Sequence, residues 1–479
     1  MEEQFTDIEN NHDILSQEET EKIEILSPPT LIEVDEELIQ EFSELIRLKS
    51  VSVLANLLHD LYPADIAHLI NRLSNEEGEE LFNLLDADVG SEVITLLDEI
   101  RRASLYEMLG KHRLSNLINK LDSDDATDLV SEMPAQIAEQ ILESLDKPTQ
   151  SEVQELLKYE PTSAGGLMAK EFVSVFATDT VNRAIAAVRK ASKTMKEIYS
   201  VLVVDDAGKL VGDLPLKNIL LHSPQRKVRN VMNRDVITAN VFLDQEEVAR
   251  LFKKYDIVVL PIVAGDGTLV GTISHDDVVD VMEQEASEDM YKMAGSDAAE
   301  IEKKSPLEIA KMRLPFLLTT MALSLCTGMV ISAYNQTLSH LIILASFMPV
   351  ISAISGNAGL QAAVIMVRGL STGHIAISDW KKSWWREMRT VWTMALVCGM
   401  ALGTVAGIWS QLLMIGVVVG SSMFLSMSTA ATMGTLIPVL SKKLGFDPAA
   451  TAGPFETTFQ DIIGVSIFLT LSTYLLGLF

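Results

Sequence analysis

The stretch Gly-Pro-Phe-Glu-Thr-Thr-Phe-Gln-Asp at residues 453–461 places one carboxylate, Asp461, inside the last hydrophobic segment of the chain, and no charged residue follows it. An ionisable group at membrane depth costs roughly 2.5–3.5 kcal/mol on insertion scales, so its presence marks a candidate functional site. Gly453, Thr457 and Asp461 are spaced by four residues and form one polar stripe on a helix, which predicts a path for a cation. The alternative is that Asp461 lies near a helix end and reaches interfacial water.

Five apolar segments in the second half of the chain are long enough to cross a bilayer. They lie near residues 314–334, 340–366, 390–410, 412–440 and 452–477, and Pro349 and Pro438 interrupt the second and the fourth. Lysine and arginine concentrate in the loops at 368–389 and 442–443, and basic loops stay in the cytoplasm. We therefore predict a multi-pass protein of the plasma (inner) membrane in contact with lipid, with cytoplasmic N-terminal domains and Phe479 outside.

The part of the chain before the first span is strongly acidic. Of 66 acidic and 38 basic residues, 61 and 30 lie in residues 1–311. This charge argues against nucleic acid as a partner, because phosphate binding needs the opposite sign. No signal peptide is expected, and residues 1–34 are predicted to be a disordered acidic tail. The two cysteines provide no disulfide framework, and the absence of a nucleophile motif or phosphate loop argues against an enzyme.

Residues 35–160 are predicted to form an all-α superhelical N domain, because apolar residues recur at helical spacing and short motifs repeat. Within it Asp124 and Asp128 share one helix face. Like charges at this spacing disfavour a helix unless a cation or water relieves them. A cation site and a solvated acidic face are both compatible with the pattern.

A duplication marks residues 161–284 as an α/β region. The strand-turn-strand pattern Ser-Val-Leu-Val-Val-Asp-Asp-Ala-Gly-Lys-Leu-Val-Gly-Asp-Leu at 200–214 recurs 59 positions later, at 259–273. The arrangement resembles the tandem cystathionine-β-synthase-type (CBS) module. Ser274 and Asp277 look like the ribose and phosphate contacts of nucleotide-binding CBS repeats. The first copy lacks these polar groups, so the resemblance implies at most one site for an adenine nucleotide such as ATP.

A dense acidic helix follows the second repeat, with seven carboxylates in the fourteen residues 276–289. The connecting segment that leads to the first span is placed at 285–306 and the membrane domain at 307–479. Carboxylates at this density repel one another unless cations neutralise them. The helix is either a solvated linker or a cation sensor that acts as a gate, and its position before a membrane domain favours the sensor.

The second span carries polar amides at membrane depth. Asn357 and Gln361 share a face in the run Gly-Asn-Ala-Gly-Leu-Gln at 356–361. They line a wet cavity or join helices through hydrogen bonds, and the sequence leaves both possibilities open. Glu456 points roughly 140° away from the Asp461 stripe. We expect its side chain to reach the membrane surface, with a position at the cytoplasmic mouth of the path as the alternative.

The donor set indicates which cation would use such a path. One carboxylate, with hydroxyl and carbonyl oxygens and neither histidine nor cysteine, suits a hydrated divalent ion such as Mg²⁺, which keeps several of its waters. It does not suit zinc or copper.

The order of these regions, together with Pro349…Gly356-Asn357-Ala358-Gly359-Leu360-Gln361 and Asp447-Pro448-Ala449…Asp461, resembles the MgtE family of magnesium channels from about residue 35 onward. The resemblance implies a homodimer with its pore on the two-fold axis, where the two Asp461 side chains hold a hydrated Mg²⁺ with help from Gly453 and Thr457. It also implies that cytoplasmic Mg²⁺ closes the pore by binding a set of acidic sensor residues: Asp124, Asp128, Asp244, Glu246, Asp256, Asp277, Asp280, Glu285, Glu288 and Asp289.

Two features depart from this family pattern. Glu456 stands where an apolar residue is usual, and Pro161-Thr162-Ser163 replace acidic residues before Ala-Gly-Gly-Leu-Met at 164–168. Rival functions are a proton-coupled secondary transporter, a carrier of Mn²⁺ or Co²⁺, and a membrane-bound nucleotide or ion sensor without transport.

Overall fold

The structure is a computed structural model that describes residues 34–296 and 306–477. The predicted tail at 1–34 lies outside this range except for its last residue. The chain divides into two compact units. Of the described residues, 34–121 and 128–150 belong to the first unit, and 122–127, 151–296 and 306–477 belong to the second.

Ten short helices cover the region between Glu36 and Leu156, which confirms the predicted all-α N domain. They are α1 Glu36–Arg47, α2 Val51–His59, α3 Pro63–Arg72, α4 Asn75–Asn83, α5 Ala87–Thr95, α6 Glu99–Met108, α7 Lys111–Ile118, α8 Ser123–Glu132, α9 Ala135–Leu142 and α10 Lys147–Leu156. Polar caps start several of them: Ser74 and Glu77 form a reciprocal capping box on α4, and Asp86 accepts from the Val89 amide on α5.

Two three-stranded sheets follow and confirm the predicted duplication. The first contains β1 Ser174–Phe176, β2 Ser200–Val204 and β3 Leu210–Pro215, and the second contains β4 Ala239–Asn240, β5 Val259–Val263 and β6 Leu269–Ser274. In each sheet the first pair is parallel and the second antiparallel. The helices around them are α11 Ala164–Leu167, α12 Val181–Ala191, α13 Leu216–Leu221, α14 Gln245–Tyr255 and α15 His275–Met293. This is the α/β CBS pair.

The acidic segment after the second repeat is one uninterrupted helix. Helix α15 begins at His275, directly after its cap Ser274, and runs to Met293. The helix therefore starts inside the CBS module and ends well before residue 306, where the predicted connecting segment ends. Gly295 has a φ of +71° and follows the helix end, where a left-handed residue stops the helical hydrogen bonding. Residues 297–305 lie outside the described range.

Within residues 34–296 and 306–477, five helical segments are long and apolar enough to cross a membrane, which confirms the predicted five-helix membrane domain. The domain contains α16 Pro306–Ala333, α17 Asn335–His340, α18 Met348–Ser371, α19 Trp380–Ser410, α20 Leu413–Leu444, α21 Pro448–Ala452 and α22 Pro454–Leu475. The second span consists of a 3-10 helix, Ile342–Ser346, followed by α18, so it is not one continuous α-helix, and the change occurs beside Pro349. Pro349 lies in the first turn of α18, where its missing N–H has no helical partner to lose. Pro438 does lie inside α20.

Helices α19 and α20 touch through their backbones. A Cβ built on Gly403 would lie 2.6 Å from the Gly416 carbonyl oxygen, and one built on Gly420 would lie 2.7 Å from the Gly399 carbonyl oxygen. Small residues spaced by four allow this approach, which is how helices in a bilayer gain packing contacts.

We expect Gly403→Ala to destabilise the membrane domain by roughly 1–3 kcal/mol, because the new methyl group overpacks a backbone contact. Gly407→Ala is the matched control, since the nearest atom to its built Cβ is 3.7 Å away. Thermal unfolding of the detergent-solubilised protein measures both variants. Equal midpoints for the two variants would contradict the backbone contact.

Candidate functional site

The predicted Asp461 stripe on α22 lies against α18. The Ser352 hydroxyl donates a hydrogen bond to Asp461 Oδ1. One turn away, a Cβ built on Gly356 would lie 3.6 Å from Thr457 Cγ2. Asp461 is half-buried and Thr457 is exposed. The sequence interpretation missed Ser352, although Ser352 and Gly356 are spaced by four and form a small-residue stripe opposite the predicted one.

Gly453 lies between α21 and α22 and begins the stripe. Its carbonyl accepts a hydrogen bond from the Thr457 amide at 3.2 Å. The Met293 carbonyl at the end of α15 packs so closely against Gly453 that a side chain at this position would collide with it. The acidic helix therefore ends directly on the first residue of the predicted cation path.

Asn357 and Gln361 both lie on an exposed face of α18. In the described part of the chain neither side chain forms a hydrogen bond with another helix. Among the described residues of one chain, the hydrogen-bonding alternative therefore finds no partner, and lining of a path, with or without a second subunit, stays a prediction.

Glu456 differs from the expectation that its side chain reaches the membrane surface. Its exposed fraction is 0%, and neither carboxylate oxygen has a hydrogen-bond partner in the described residues. The carboxylate fills the recess left by Gly359 on α18, with the Ala430 carbonyl of α20 beside the same recess. The side chain points into the packed contact of three helices because position 456 faces away from the Thr457 and Asp461 stripe.

A buried polar column continues from Glu456 along α22. The Gln460 amide donates to the Ser426 carbonyl at 3.0 Å and lies 3.2 Å from the Ser426 hydroxyl, while its own oxygen has no donor. Because a carbonyl only accepts, these contacts fix the amide orientation. This column is separate from the stripe that carries Asp461.

A first group of acidic residues surrounds a cavity of about 310 Å³ beside the second CBS repeat. Burial and the nearby Asp277 carboxylate raise the pKa of Asp124 well above its usual range. Burial raises the pKa of Asp125 and of Asp277 to about 6. The carboxylates that line this cavity are Asp122, Asp124, Asp125, Glu171, Asp276 and Asp277.

The pair predicted to bind nucleotide has a structural role in this cavity. Asp277 accepts hydrogen bonds from the amide and hydroxyl of Ser274, and the two residues form the capping box of α15. Ser274 and Asp277 nevertheless line the cavity together with Tyr199 and Phe172. The sequence interpretation missed Asp122, Asp125 and Glu171, because only the fold brings the start of α8 to the CBS repeat.

A second acidic group joins the CBS module to the membrane domain. Glu246 of α14 and Glu285 and Asp289 of α15 line a small cavity with the end of α18. Burial raises the pKa of all three carboxyls. Arg250 lies 2.7 Å from Glu246 and donates through Nε to the Ser371 carbonyl at 2.9 Å, so a CBS side chain binds the free end of a membrane helix.

The remaining predicted sensor residues are dispersed. Asp244 caps α14 through the Glu246 amide, and Asp256 ends the same helix with a φ of +51°. Asp128 and Asp280 are exposed, and Glu288 pairs with Lys292, which also lies 2.7 Å from Asp447. Within residues 34–296 and 306–477, no group of three or more His, Cys, Asp or Glu side chains could hold a metal ion. The structure therefore does not bring the ten predicted residues together in one chain.

We expect Gly359→Ala to destabilise the protein by roughly 1–3 kcal/mol, because its methyl group would collide with the Glu456 carboxylate. Combining it with Glu456→Ala should restore part of the loss, although the Ala430 carbonyl, 3.2 Å from the built Cβ, remains. Gly356→Ala is the control, since the nearest atom to its built Cβ, Thr457 Cγ2, is 3.6 Å away and does not collide. Thermal unfolding measures the stability of all these variants. If Gly359→Ala lowers the stability equally in the wild-type and Glu456→Ala backgrounds, the contact between position 359 and the Glu456 carboxylate is refuted.

The carboxyls around the 310 Å³ cavity predict a pH dependence. Their pKa values are higher in the folded protein than in the unfolded chain, so the folded state binds more protons between about pH 4 and pH 6. Stability of this region should therefore fall as the pH rises through that interval when no metal is added. Hydrogen exchange of the α15 amides, corrected for the intrinsic rate, measures this, and Asp125→Asn should flatten the profile. Protection that increases with pH in metal-free protein would contradict the prediction.

Comparisons with known proteins agree with this architecture. The family profile for MgtE, described as a divalent cation transporter, matches residues 348–471. The profile for the MgtE intracellular N domain matches 61–162, and that for the CBS domain matches 164–224 and 228–284.

Full-length relatives extend the match. The chain is 35% identical to the magnesium transporter MgtE of Enterococcus faecalis over 68% of this chain and 72% of that protein. It is 34% identical to the magnesium transporter MgtE of Thermus thermophilus over 69% and 74%. A solved structure of the cytosolic domain of the Mg²⁺ channel MgtE in complex with ATP covers 51% of this chain and 99% of its own, at 33% identity and a TM-score of 0.49. The identity and coverage of the full-length relatives place this chain in the MgtE family of magnesium transporters, which are not enzymes.

Proposed function

We propose that this protein is a Mg²⁺-selective channel that intracellular Mg²⁺ closes. The observation that carries the proposal is the contact of Met293 with Gly453. It joins the end of an acidic cytoplasmic helix to the start of the stripe that leads to Asp461. A change in the position of α15 would therefore open or cover the path directly.

Asp461 is the residue that selects the ion in this proposal. It is held by the Ser352 hydroxyl and lies on a stripe with Thr457 and Gly453. One carboxylate per chain, with hydroxyl and carbonyl oxygens nearby, suits an ion that retains most of its water. Mg²⁺ dehydrates reluctantly and is held by few carboxylates, which favours it over cations that need dense ligand sets.

The path would be completed by a second copy of the chain. Thr457, Asn357 and Gln361 are exposed in one chain, on helices that otherwise pack closely. Polar side chains at membrane depth require a wet cavity or protein around them. A homodimer with facing α18 and α22 helices supplies both and places two Asp461 carboxylates at one ion.

Closure would follow from neutralising the acidic groups. Half-buried, closely spaced carboxylates around Asp124 and Asp277, and around Glu246 and Glu285, favour any conformation in which cations lie between them. Bound Mg²⁺ shifts the equilibrium toward the closed state only if that state binds it more tightly than the open state. Such sites need ligands beyond those in one chain, and the partner subunit would provide them.

The 310 Å³ cavity at Ser274 and Asp277 is the site at which we place an adenine nucleotide, ATP being the leading candidate. Its carboxylates repel a free polyphosphate, so the nucleotide would enter as its Mg²⁺ complex. The N-terminal domains would lie in the cytoplasm and the C-terminus outside the plasma membrane, as the basic residues between 368 and 389 and at 442–443 indicate.

Uptake of Mg²⁺ into proteoliposomes tests the path. Asp461→Asn should lower uptake roughly tenfold or more, because it removes a charge-assisted contact with the ion. Glu456→Gln is the matched control on the same helix, facing away from the stripe, and should retain uptake. If Asp461→Asn has no effect, the path is wrong, and uptake driven by a pH gradient would favour a proton-coupled transporter.

The same vesicles test the gate. Mg²⁺ on the cytoplasmic face should stop uptake by the wild type, and the combined Asp277→Asn, Glu285→Gln and Asp289→Asn variant should need more Mg²⁺ for closure. A variant with unchanged closure would refute the sensor assignment and leave the path intact. No uptake by any form, with retained Mg²⁺ binding, would favour a sensor without transport.

A further inference from the structure

The beginning of α19 carries a basic cavity whose lining includes no residue of the Asp461 stripe. The cavity has a volume of about 860 Å³ and is lined by three basic side chains, Lys382, Arg386 and Arg389. All three are exposed, and none forms an ion pair within the described part of the chain. His374 also lines the cavity, and Asp379 offsets one of the positive charges. Three clustered cations without partners indicate an anionic ligand.

The neighbouring aromatic residues indicate where this ligand lies. Trp385 and Trp392 are 49% and 38% exposed, and their rings contact each other edge to face at 5.9 Å. Trp384 packs against Trp385 at 5.2 Å. Exposed tryptophans at the start of a membrane-spanning helix are typical of the headgroup level of a bilayer.

An apolar surface continues from this aromatic pair along the same side of the helix. Leu396 and Met400 are 54% and 58% exposed. At 100° per residue, the three basic residues, the two tryptophans and these two side chains fall within an arc of roughly 120°. Arg389 and Met400 are separated by roughly 16 Å along the axis, about half of the hydrocarbon core of a bilayer.

The side of the membrane is set by the preceding helix. The Ser371 carbonyl at the end of α18 accepts a hydrogen bond from Arg250 of the CBS module. Only residues 372–379 separate that helix end from α19. The basic cavity therefore opens on the CBS side of the membrane, and its apolar surface extends into the adjacent leaflet.

We propose that this cavity binds the phosphate headgroup of an anionic phospholipid, whose acyl chain lies along Trp392, Leu396 and Met400. A soluble phosphate compound shares the headgroup chemistry, but it would leave the exposed aromatic and apolar surface without an occupant. The combination of a basic cavity with an apolar surface one leaflet long fits a lipid molecule. The proposal depends on the membrane domain alone and is independent of the ion that the protein carries.

Tryptophan fluorescence tests the site, because four of the five tryptophans lie at the start of α19. In a Trp409→Phe background, the protein is reconstituted into phosphatidylcholine vesicles that contain brominated phosphatidylglycerol or brominated phosphatidylcholine. We expect stronger quenching by the brominated anionic lipid at equal mole fraction. Arg386→Gln or Arg389→Gln should each reduce this preference roughly fivefold, the effect of one basic residue at an anionic surface.

Lys381→Gln is the matched control. Lys381 has the same charge and lies in the first turn of the same helix, but it lies over the Trp380 ring at 5.8 Å and does not line the cavity. Equal quenching by the two lipids would overturn the proposal, as would equal losses in the Lys381 and Arg386 variants. Relief of quenching by inorganic phosphate would assign the cavity to a soluble ligand. Absence of quenching by either lipid would indicate that another copy of the chain covers the surface.

Discussion

An uncompensated charge in a low-dielectric interior is the constraint on which the membrane domain depends. The charge of Asp461 is compensated by a hydrogen bond from the Ser352 hydroxyl and by partial exposure of the side chain, which leaves the carboxylate available to an ion. Glu456 lies five residues earlier on the same helix. Within the described residues its carboxylate has no hydrogen-bond donor, and it is fully buried against Gly359. Two carboxylates of one helix thus occupy opposite environments, because 3.6 residues per turn direct one toward the stripe and the other into the helix packing.

The same constraint links the cytoplasmic part to the membrane. Helix α15 carries many closely spaced carboxylates along its length, and its last residue, Met293, packs against Gly453. Arg250 provides a second connection, from α14 to the end of α18. Electrostatic changes at the CBS module would therefore reach both helices that form the proposed path, without a long chain of intermediate contacts.

Periodicity and composition predicted the architecture well. The CBS duplication followed from matching strand patterns, and the five spans followed from length and hydrophobicity. The sequence could not place Glu456, because its orientation depends on the Gly359 recess of another helix. The interruption expected at Pro349 takes the form of a change from a 3-10 helix to α18 just before the proline, which itself lies in the first turn of α18 and breaks no helical hydrogen bond. Contacts such as Ser352 with Asp461 join residues 109 positions apart, which no local pattern encodes.

The glycine contact between α19 and α20 bears on how such a protein can move. Side-chain contacts can adjust through alternative rotamers, but Gly403 and Gly416 meet through main-chain atoms that have none. These two helices would therefore behave as a single stationary frame in every state of the transporter. Helix α18 belongs to the same frame, because a Cβ built on Gly434 of α20 would collide with the Gly359 carbonyl of α18. Conformational freedom is then left to α22, so the helix that moves is also the helix that carries Asp461.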